Sequence, residues 1–353
     1  MRQSRKLDHL RFSLALSDGP GTNSFADFSL VHNCLPDTAW SGVDLTTAVA
    51  GIPLRHPLII NAITGGAADV TAVNAGLAEL AKRTGAAMAV GSQYAAIVDP
   101  AVSESYQIVR RINPDGVLFA NLGAHVTPDE AARAVAMIGA DAIQIHLNAA
   151  QELAMTEGDR DFTGYLANIA AIAAASSVPV IAKEVGAGVA REQAAALAAA
   201  GVAAIDVGGA GGTNFVAIEA ARGGADLPPE TLAWGIPTAV SAVEAAAVLP
   251  STVDVIVSGG IRSPLDAVKA LAIGGRAVAV ATPAVRALQD NGLPAAVAWF
   301  EGFLREMRRY MVLVGARTVG DLAKVPLVIT GHSREWLDQR GVDTARFARA
   351  GRQ

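Results

Sequence analysis

The sequence predicts an α/β chain whose strands close into a (β/α)8 TIM barrel with an N-terminal extension. Three observations carry this. From residue 57 onward, short apolar runs rich in Ile and Val alternate with Ala-rich helical stretches. There are eight such runs. Each ends in small or polar residues.

In chain order the expected strands are Leu58–Asn61, Ala87–Val90, Val117–Asn121, Ala142–Leu147, Val180–Lys183, Ala204–Val207, Val255–Ser258 and Ala277–Ala281. Continuous apolar runs suit strands covered on both faces, as in a buried parallel sheet. Glu130–Ile138, Arg191–Ala200 and Pro264–Ile273 have the length and composition of intervening helices. Eight such units argue for closure into a barrel. Residues 1–56 precede the first strand and hold turn formers such as Gly19-Pro20-Gly21 and Leu35-Pro36-Asp37. They read as an extension that packs on the barrel or reaches over one end. Trp299–Val314 reads as a helix closing the barrel, and Lys324–Gln353 as a short tail with a helical turn or two. No linker or internal repeat interrupts residues 57–353, so the expectation is a single domain.

Apolar residues make up 52% of the 353 and charged residues 17%, which suits a large core and excludes disorder. A net charge of −5 argues against a general attraction to nucleic acid or to anionic membranes. An anionic ligand must then be held by local cations or backbone amides. The single cysteine, Cys34, excludes a disulfide within the chain and a cysteine-based metal site, and fits a reducing compartment. No apolar signal-peptide core follows the first residues. The longest apolar stretch, Ala194 to Ile205, is too short to span a bilayer. The expectation is a soluble, cytoplasmic protein.

Chemistry in such barrels sits at the C-terminal ends of the strands. Strand six is followed by Gly208-Gly209-Ala210-Gly211-Gly212-Thr213-Asn214, strand seven ends Ser258-Gly259-Gly260-Ile261-Arg262, and strand eight ends Ala281-Thr282. One glycine pair makes only a tight turn, but three clusters together fit a phosphate held by backbone N–H groups. Lys183 ends an apolar strand, where it is either paired with a carboxylate or set beside an electron-rich cofactor ring. Strand alternation puts His146 and Asn148 on the side of the barrel mouth, with Gln151 and Glu152 in the loop that follows. An acidic residue beside a phosphate pocket suits Mg2+, which takes one or two carboxylates plus phosphate oxygens. A local ion pair, for instance with Arg160, is the other reading of Glu152. Arg5, Lys6 and His9 form a basic run that is either a solvated tail or an arm folding over the phosphate site.

These segments resemble, in order and spacing, the type 2 isopentenyl-diphosphate isomerases. The matching stretches are Arg5-Lys6-Leu7-Asp8-His9, Asn61-Ala62-Ile63-Thr64-Gly65-Gly66, Gly91-Ser92-Gln93 and Gln144-Ile145-His146-Leu147-Asn148 with Gln151-Glu152. Glu157-Gly158-Asp159-Arg160-Asp161-Phe162, Asp206 through Phe215, Trp234-Gly235-Ile236-Pro237-Thr238 and Ser258-Gly259-Gly260 match as well. The glycine motifs are shared with other FMN barrels; the Asn-x-x-Gln-Glu segment with its acidic loop is the more specific part. Small departures fall at Tyr94, Ala187, Val189 and the Ala281-Thr282 pair.

The resemblance implies an enzyme that interconverts isopentenyl and dimethylallyl diphosphate by a 1,3-proton shift, with reduced FMN in acid–base chemistry. FMN would be contacted by Ala62, Ile63, Thr64, Ser92, Asn121 and Lys183. Its phosphate would lie near Thr213, Gly259, Gly260, Ala281 and Thr282. Arg5, Lys6 and His9 would meet the substrate diphosphate. His146, Asn148 and Gln151 would lie nearer the isoprenoid, and Glu152 would bind Mg2+. NADPH would serve only to reduce the flavin, and a homo-oligomer, a tetramer or octamer, is expected. An FMN oxidoreductase such as a 2-hydroxy-acid oxidase needs a His base and carboxylate-clamping Arg residues, and strand six ends instead in glycines. A nucleotide dehydrogenase with a catalytic cysteine is disfavoured because Cys34 lies near the N-terminus. A catalytically silent phosphate-binding barrel would not need the polar cluster at residues 146–152.

Overall fold

A computed structural model describes residues 2–223 and 226–349, with side chains from Asp8 onward. Eight strands form a closed, all-parallel barrel: β1 (Leu58–Ile60), β2 (Met88–Ala89), β3 (Leu118–Gly123), β4 (Ala142–Leu147), β5 (Val180–Glu184), β6 (Ala204–Asp206), β7 (Asp254–Ser258) and β8 (Ala277–Val280). Consecutive strands are neighbours, and β8 pairs back onto β1 through Ala279 and Ile59. All eight expected strands are present in the expected order, with ends shifted by a residue or two.

Alternation along each strand sorts the side chains. Leu58, Ile60, Met88, Leu118, Ile143, Ile145, Val255 and Val257 point outward into the core shared with the helices. Ile59, Phe119, Ile181 and Ile256 point inward and fill the barrel with the small residues Ala87, Ala89, Ala142 and Ala204. One aromatic ring among alanines keeps the interior dense without widening it. Above this apolar floor lies a tier of buried polar residues: Asn61, Asn121, Gln144, Lys183, Asp206 and Ser258.

The N-terminal extension meets both ends of the barrel. The helix Arg2–Ala15 packs on the helix Phe215–Gly223 at the strands' C-terminal ends. The hairpin Thr47–Val49 with Ile52–Leu54 closes the opposite end, where Val49 and Leu54 join the floor. Its turn, Ala50-Gly51, has positive φ at both residues, the twist that two-residue hairpins favour. The Ala50 N–H donates to Asp254 Oδ2 at 2.8 Å, anchoring the turn to β7.

Two elements differ from the sequence expectation. The closing helix begins at Thr282, well before Trp299, and runs to Val314 with a break at Gly292 (φ 75°, ψ 173°) just ahead of Pro294. The tail is more ordered than a turn or two. Leu327–Ile329 pairs antiparallel with Phe28–Leu30, and the helix Gly331–Gln339 follows. A three-residue strand has little local signature, since it exists only through a partner from the other end of the chain. Among the described residues no helix is long and apolar enough to cross a membrane.

Candidate active site

The barrel mouth opens into a cleft lined by residues at the ends of all eight strands. Its floor is a hydrogen-bonded chain that crosses the barrel. His146 Nδ1 lies 2.9 Å from Asn121 Oδ1. Asn121 Nδ2 donates to Gln144 Oε1 (2.9 Å), Gln144 Nε2 to Asn61 Oδ1 (3.0 Å), and Asn61 Nδ2 to Asp206 Oδ2 (2.7 Å). Lys183 Nζ meets the same Asp206 oxygen at 3.0 Å, and Ser258 Oγ donates to Asp206 Oδ1 at 2.5 Å. Asp206 is fully buried, and an ion so placed must be paired and hydrogen-bonded to persist. The two readings of Lys183 therefore converge: it is paired with a carboxylate, and it also lines the cleft. Sequence reasoning missed Asp206, Gln144, Asn61 and Ser258 as site residues. Asn61, Asp206 and Ser258 stand at or just past the end of an apolar strand, the same signal that marks Lys183, whereas Gln144 lies in the middle of β4.

One wall carries the phosphate features. Gly212, Thr213, Gly259, Gly260, Ala281 and Thr282 all line it. Thr213 Oγ1 and Thr282 Oγ1 hydrogen-bond at 2.7 Å, joining the loop after β6 to the helix that starts after β8. That helix has no side-chain cap at its N-terminus; Pro283 carries no N–H, and the Ala284 and Val285 N–H groups donate back to Ala281 O, so Thr282 at its first position is the residue best placed to meet an anion there. The loops after β6 and β7 interlock: a Cβ on Gly212 would sit 2.3 Å from Gly260 N, and one on Gly259 2.1 Å from Gly209 O. The glycines thus serve close packing of two loops as well as an open cradle.

The loops after β1, β2 and β5 flank that wall. Ala62, Ile63 and Ser92 line the cleft. Thr64 lies just behind them, buried, and its Oγ1 has no hydrogen-bond partner among the described residues. Tyr106 props this region from beneath: its hydroxyl donates to Ser92 O at 2.5 Å, and a Cβ on Gly65 would strike its ring. Gln93 turns away, fully buried, and donates to Ala134 O. Glu184, last in β5, accepts from the N–H groups of Gly186, Ala187 and Gly188. Burial pushes its carboxyl up to about 7 against those donors. An uncapped helix start, interlocked glycine loops, an orphaned buried hydroxyl and a buried lysine at the mouth fit a phosphorylated cofactor with a polar ring.

The rim carries the remaining expected residues. His146, Asn148, Gln151, Glu152 and His9 all line the cleft. Gln151 and Glu152 lie on a short helix, Ala149–Ala154, rather than in a loop; the flanking alanines and Leu153 are strong helix formers. Glu152 Oε1 accepts from Asn148 Nδ2 (2.8 Å) and Oε2 from Asp159 N (3.0 Å). Arg160 does not pair with that carboxylate: its guanidinium donates to the backbone oxygens of Glu152, Met155, Gly158 and Asp159. Among the described residues no three His, Cys, Asp or Glu side chains converge on a metal position. A cation at Glu152 would therefore draw further ligands from substrate and water. The side chains of Arg5 and Lys6 lie outside the described residues.

Sequence reasoning missed the centre of this rim. Glu219, on the helix after β6, is buried, and it accepts from Gln151 Nε2 (2.8 Å) and Arg222 Nε (2.7 Å). His9 Nε2 lies 2.6 Å from the same carboxylate. Burial would raise the Glu219 carboxyl, yet the hydrogen bonds and charge of His9, with Gln151 and Arg222, hold it down to about 2. A lone Glu in an amphipathic helix gives no sequence signal of this role. His125 and Tyr94 also line the cleft, their rings edge to face at 4.8 Å.

Residues 118–328 match the sequence profile described as FMN-dependent dehydrogenase. The isopentenyl-diphosphate delta-isomerase of Symbiobacterium thermophilum is 49% identical over 99% of this chain and 98% of its own length. That of Moorella thermoacetica is 48% identical over 96% and 97%, and that of a Geobacillus species 47% over 97% and 98%. Among solved structures, a flavocytochrome b2 variant superposes with a TM-score of 0.68 at 17% identity, covering 94% of this chain and 87% of that one. A mandelate oxidase variant does so with 0.64 at 18%, covering 90% and 95%. At such identities these two speak to the fold alone. The profile and the near-full-length relatives together mean that this chain belongs to the FMN-dependent dehydrogenase family and, within that group of barrels, to the isopentenyl-diphosphate delta-isomerases.

Proposed function

We propose that this chain is an FMN-dependent isomerase that interconverts isopentenyl and dimethylallyl diphosphate. The observation that carries this is the conjunction of near-full-length isomerase relatives with a cleft that sets His146, Asn148, Gln151 and Glu152 opposite a phosphate-type wall. The reaction places a proton on one alkene carbon and removes one from another. No carboxyl or imidazole of ordinary pKa is strong enough an acid for an unactivated alkene. Reduced FMN, when bound, supplies an electron-rich ring for that acid–base chemistry.

The chain's own residues bind, orient and shield. The cofactor ring would be held by Ala62, Ile63, Ser92, Asn121 and Lys183, with Thr64 Oγ1 as a further donor. The phosphate would be held by Thr213, Gly259, Gly260, Ala281 and Thr282. The substrate diphosphate would meet His9, with Arg5 and Lys6 from the same helix, and Glu152 through Mg2+. His146, Asn148 and Gln151 face the five-carbon group. Glu219 keeps the Gln151 amide in one orientation and supplies a fixed negative charge toward a developing cation. NADPH serves as flavin reductant. The extension (residues 1–56) and the barrel (57–353) form one domain. The chain works in the cytoplasm as a homo-oligomer, a tetramer or octamer.

The test is an anaerobic assay with isopentenyl diphosphate, FMN, Mg2+ and NADPH, with product identified by mass and retention. Dimethylallyl diphosphate is the expected product. Its absence, with FMN bound and reduced, would overturn the reading.

A further inference from the structure

The segment joining the N-terminal helix to the barrel is stitched to both glycine loops of the phosphate wall. Asn23 Nδ2 donates to Gly260 O at 2.6 Å, and Asn23 O accepts from Ala239 N at 3.0 Å. Gly19 N donates to Gly212 O at 3.3 Å, and Asn214 Nδ2 returns a bond to Gly19 O at 3.1 Å. Arg262 completes the arrangement. Its Nη1 donates to Gly260 O (2.8 Å) and its Nη2 to Gly211 O (2.5 Å), while Nη2 pairs with Asp18 Oδ2 at 2.9 Å. A Cβ on Gly211 would sit 2.2 Å from Asn23 N, so the segment lies directly against the loop.

A peptide unit whose carbonyl is held on one side has its plane fixed, and the amides beside it are fixed with it. Gly211 O is held by Arg262, and Gly260 O by both Arg262 and Asn23. The neighbouring N–H groups are thereby set for an anion in the cleft, at no ordering cost when it arrives. We infer that Asn23, Asp18 and Arg262 form a clamp of positioning residues that sets the cradle for the FMN phosphate and ties it to the segment bearing the substrate-binding helix. The inference rests on the FMN reading of the cleft and extends it to Asn23 and Arg262 behind the cradle and to Asp18 at its edge.

Asn23→Ser tests the clamp without adding charge. A Ser hydroxyl keeps an acceptor for Phe25 N, which Asn23 Oδ1 holds at 3.1 Å, but is too short to reach Gly260 O. Arg262→Lys keeps the charge and loses the planar fork that spans two carbonyls and Asp18. Apoprotein of each variant is titrated with FMN by quenching of flavin fluorescence. The bound phosphate is followed by 31P NMR at saturating FMN, and the apoprotein is melted as a control of folding. Both variants are expected to raise the FMN Kd about tenfold or more, the equivalent of one charge-assisted hydrogen bond, and to move the bound 31P resonance. Apoprotein melting should change by only a few degrees. An unchanged Kd overturns the clamp, and so does a raised Kd with an unmoved 31P resonance, since the effect would then lie elsewhere. Wild-type protein that binds no FMN would instead sink the flavin reading itself.

Discussion

Gln151 Nε2 donates to the buried Glu219 carboxylate at 2.8 Å, which ties the short helix after β4 to the helix after β6 across the cleft. Glu219 also holds His9 and Arg222, so losing Gln151 leaves the carboxylate with two partners. Gln151→Ala is expected to remain folded, at a cost of about 1–3 kcal/mol, and to bind FMN as wild type does. Isomerase turnover should fall by roughly a hundredfold, the scale of losing one positioned polar group. The measurement is turnover beside FMN titration and chemical unfolding. Near wild-type turnover would mean that the amide serves only to neutralise Glu219.

Activity should require reduced flavin while consuming no reductant per turnover. The 1,3-proton shift has no net redox change, and the loop that follows β6, from Val207 to Gly212, holds only small or apolar residues and no His base. NADPH absorbance and product are followed together without oxygen. One NADPH oxidised per product would identify an oxidoreductase.

The barrel was legible because its strands bury both faces, and that demand writes itself into continuous apolar runs such as Leu58–Ile60 and Val255–Val257. The phosphate wall was legible because close backbone approach admits only glycine at positions such as Gly212 and Gly259. Glu219 was not, because its role depends on His9 from the far N-terminus and Gln151 from another strand end. Neither was the strand Leu327–Ile329, which exists through Phe28–Leu30. Features set by local periodicity or local sterics are written in the sequence; features set by partners distant in the chain are not.

Stability should fall on mild acidification through His56. It is 5% exposed, accepts from Leu58 N at Nδ1 and faces Thr84 O with Nε2. Burial, with the nearby Arg55 charge, lowers its pKa from 6.5 to about 4. The unfolded chain takes up a proton below pH 6.5 that the folded chain refuses until about 4. Stability is therefore full above 6.5 and declines as pH falls toward 4, by about 2–3 kcal/mol at pH 4.5. His56→Gln should lack this part of the slope. Unfolding in urea at pH 7.5 and 4.5 compares the two proteins, and parallel losses would show that His56 is not the titrating group.

Glu152 is expected to act on the substrate through Mg2+. Its two carboxylate oxygens each accept one hydrogen bond, from Asn148 Nδ2 and Asp159 N. Those bonds aim the group while leaving lone pairs toward the cleft that it lines. Arg160, the cation nearest in sequence, is taken up by backbone oxygens. A carboxylate so exposed to an arriving diphosphate would repel it unless a cation lay between them. Mg2+ meets that need with one protein carboxylate, because water and phosphate oxygens complete its octahedron. Replacing Glu152 by Gln keeps the shape and an acceptor for Asp159 N, and removes the charge. The variant should need at least tenfold more Mg2+ for half-maximal rate, by the loss of about 1.4 kcal/mol or more from the metal site. FMN affinity should hardly move, since the phosphate wall lies on the other side of the cleft. Mg2+ titration of initial rates, with FMN titration and melting alongside, separates the outcomes. A wild-type Mg2+ dependence with a lowered melting temperature would make Glu152 a structural cap for the loop at Asp159 and send the search for the metal elsewhere.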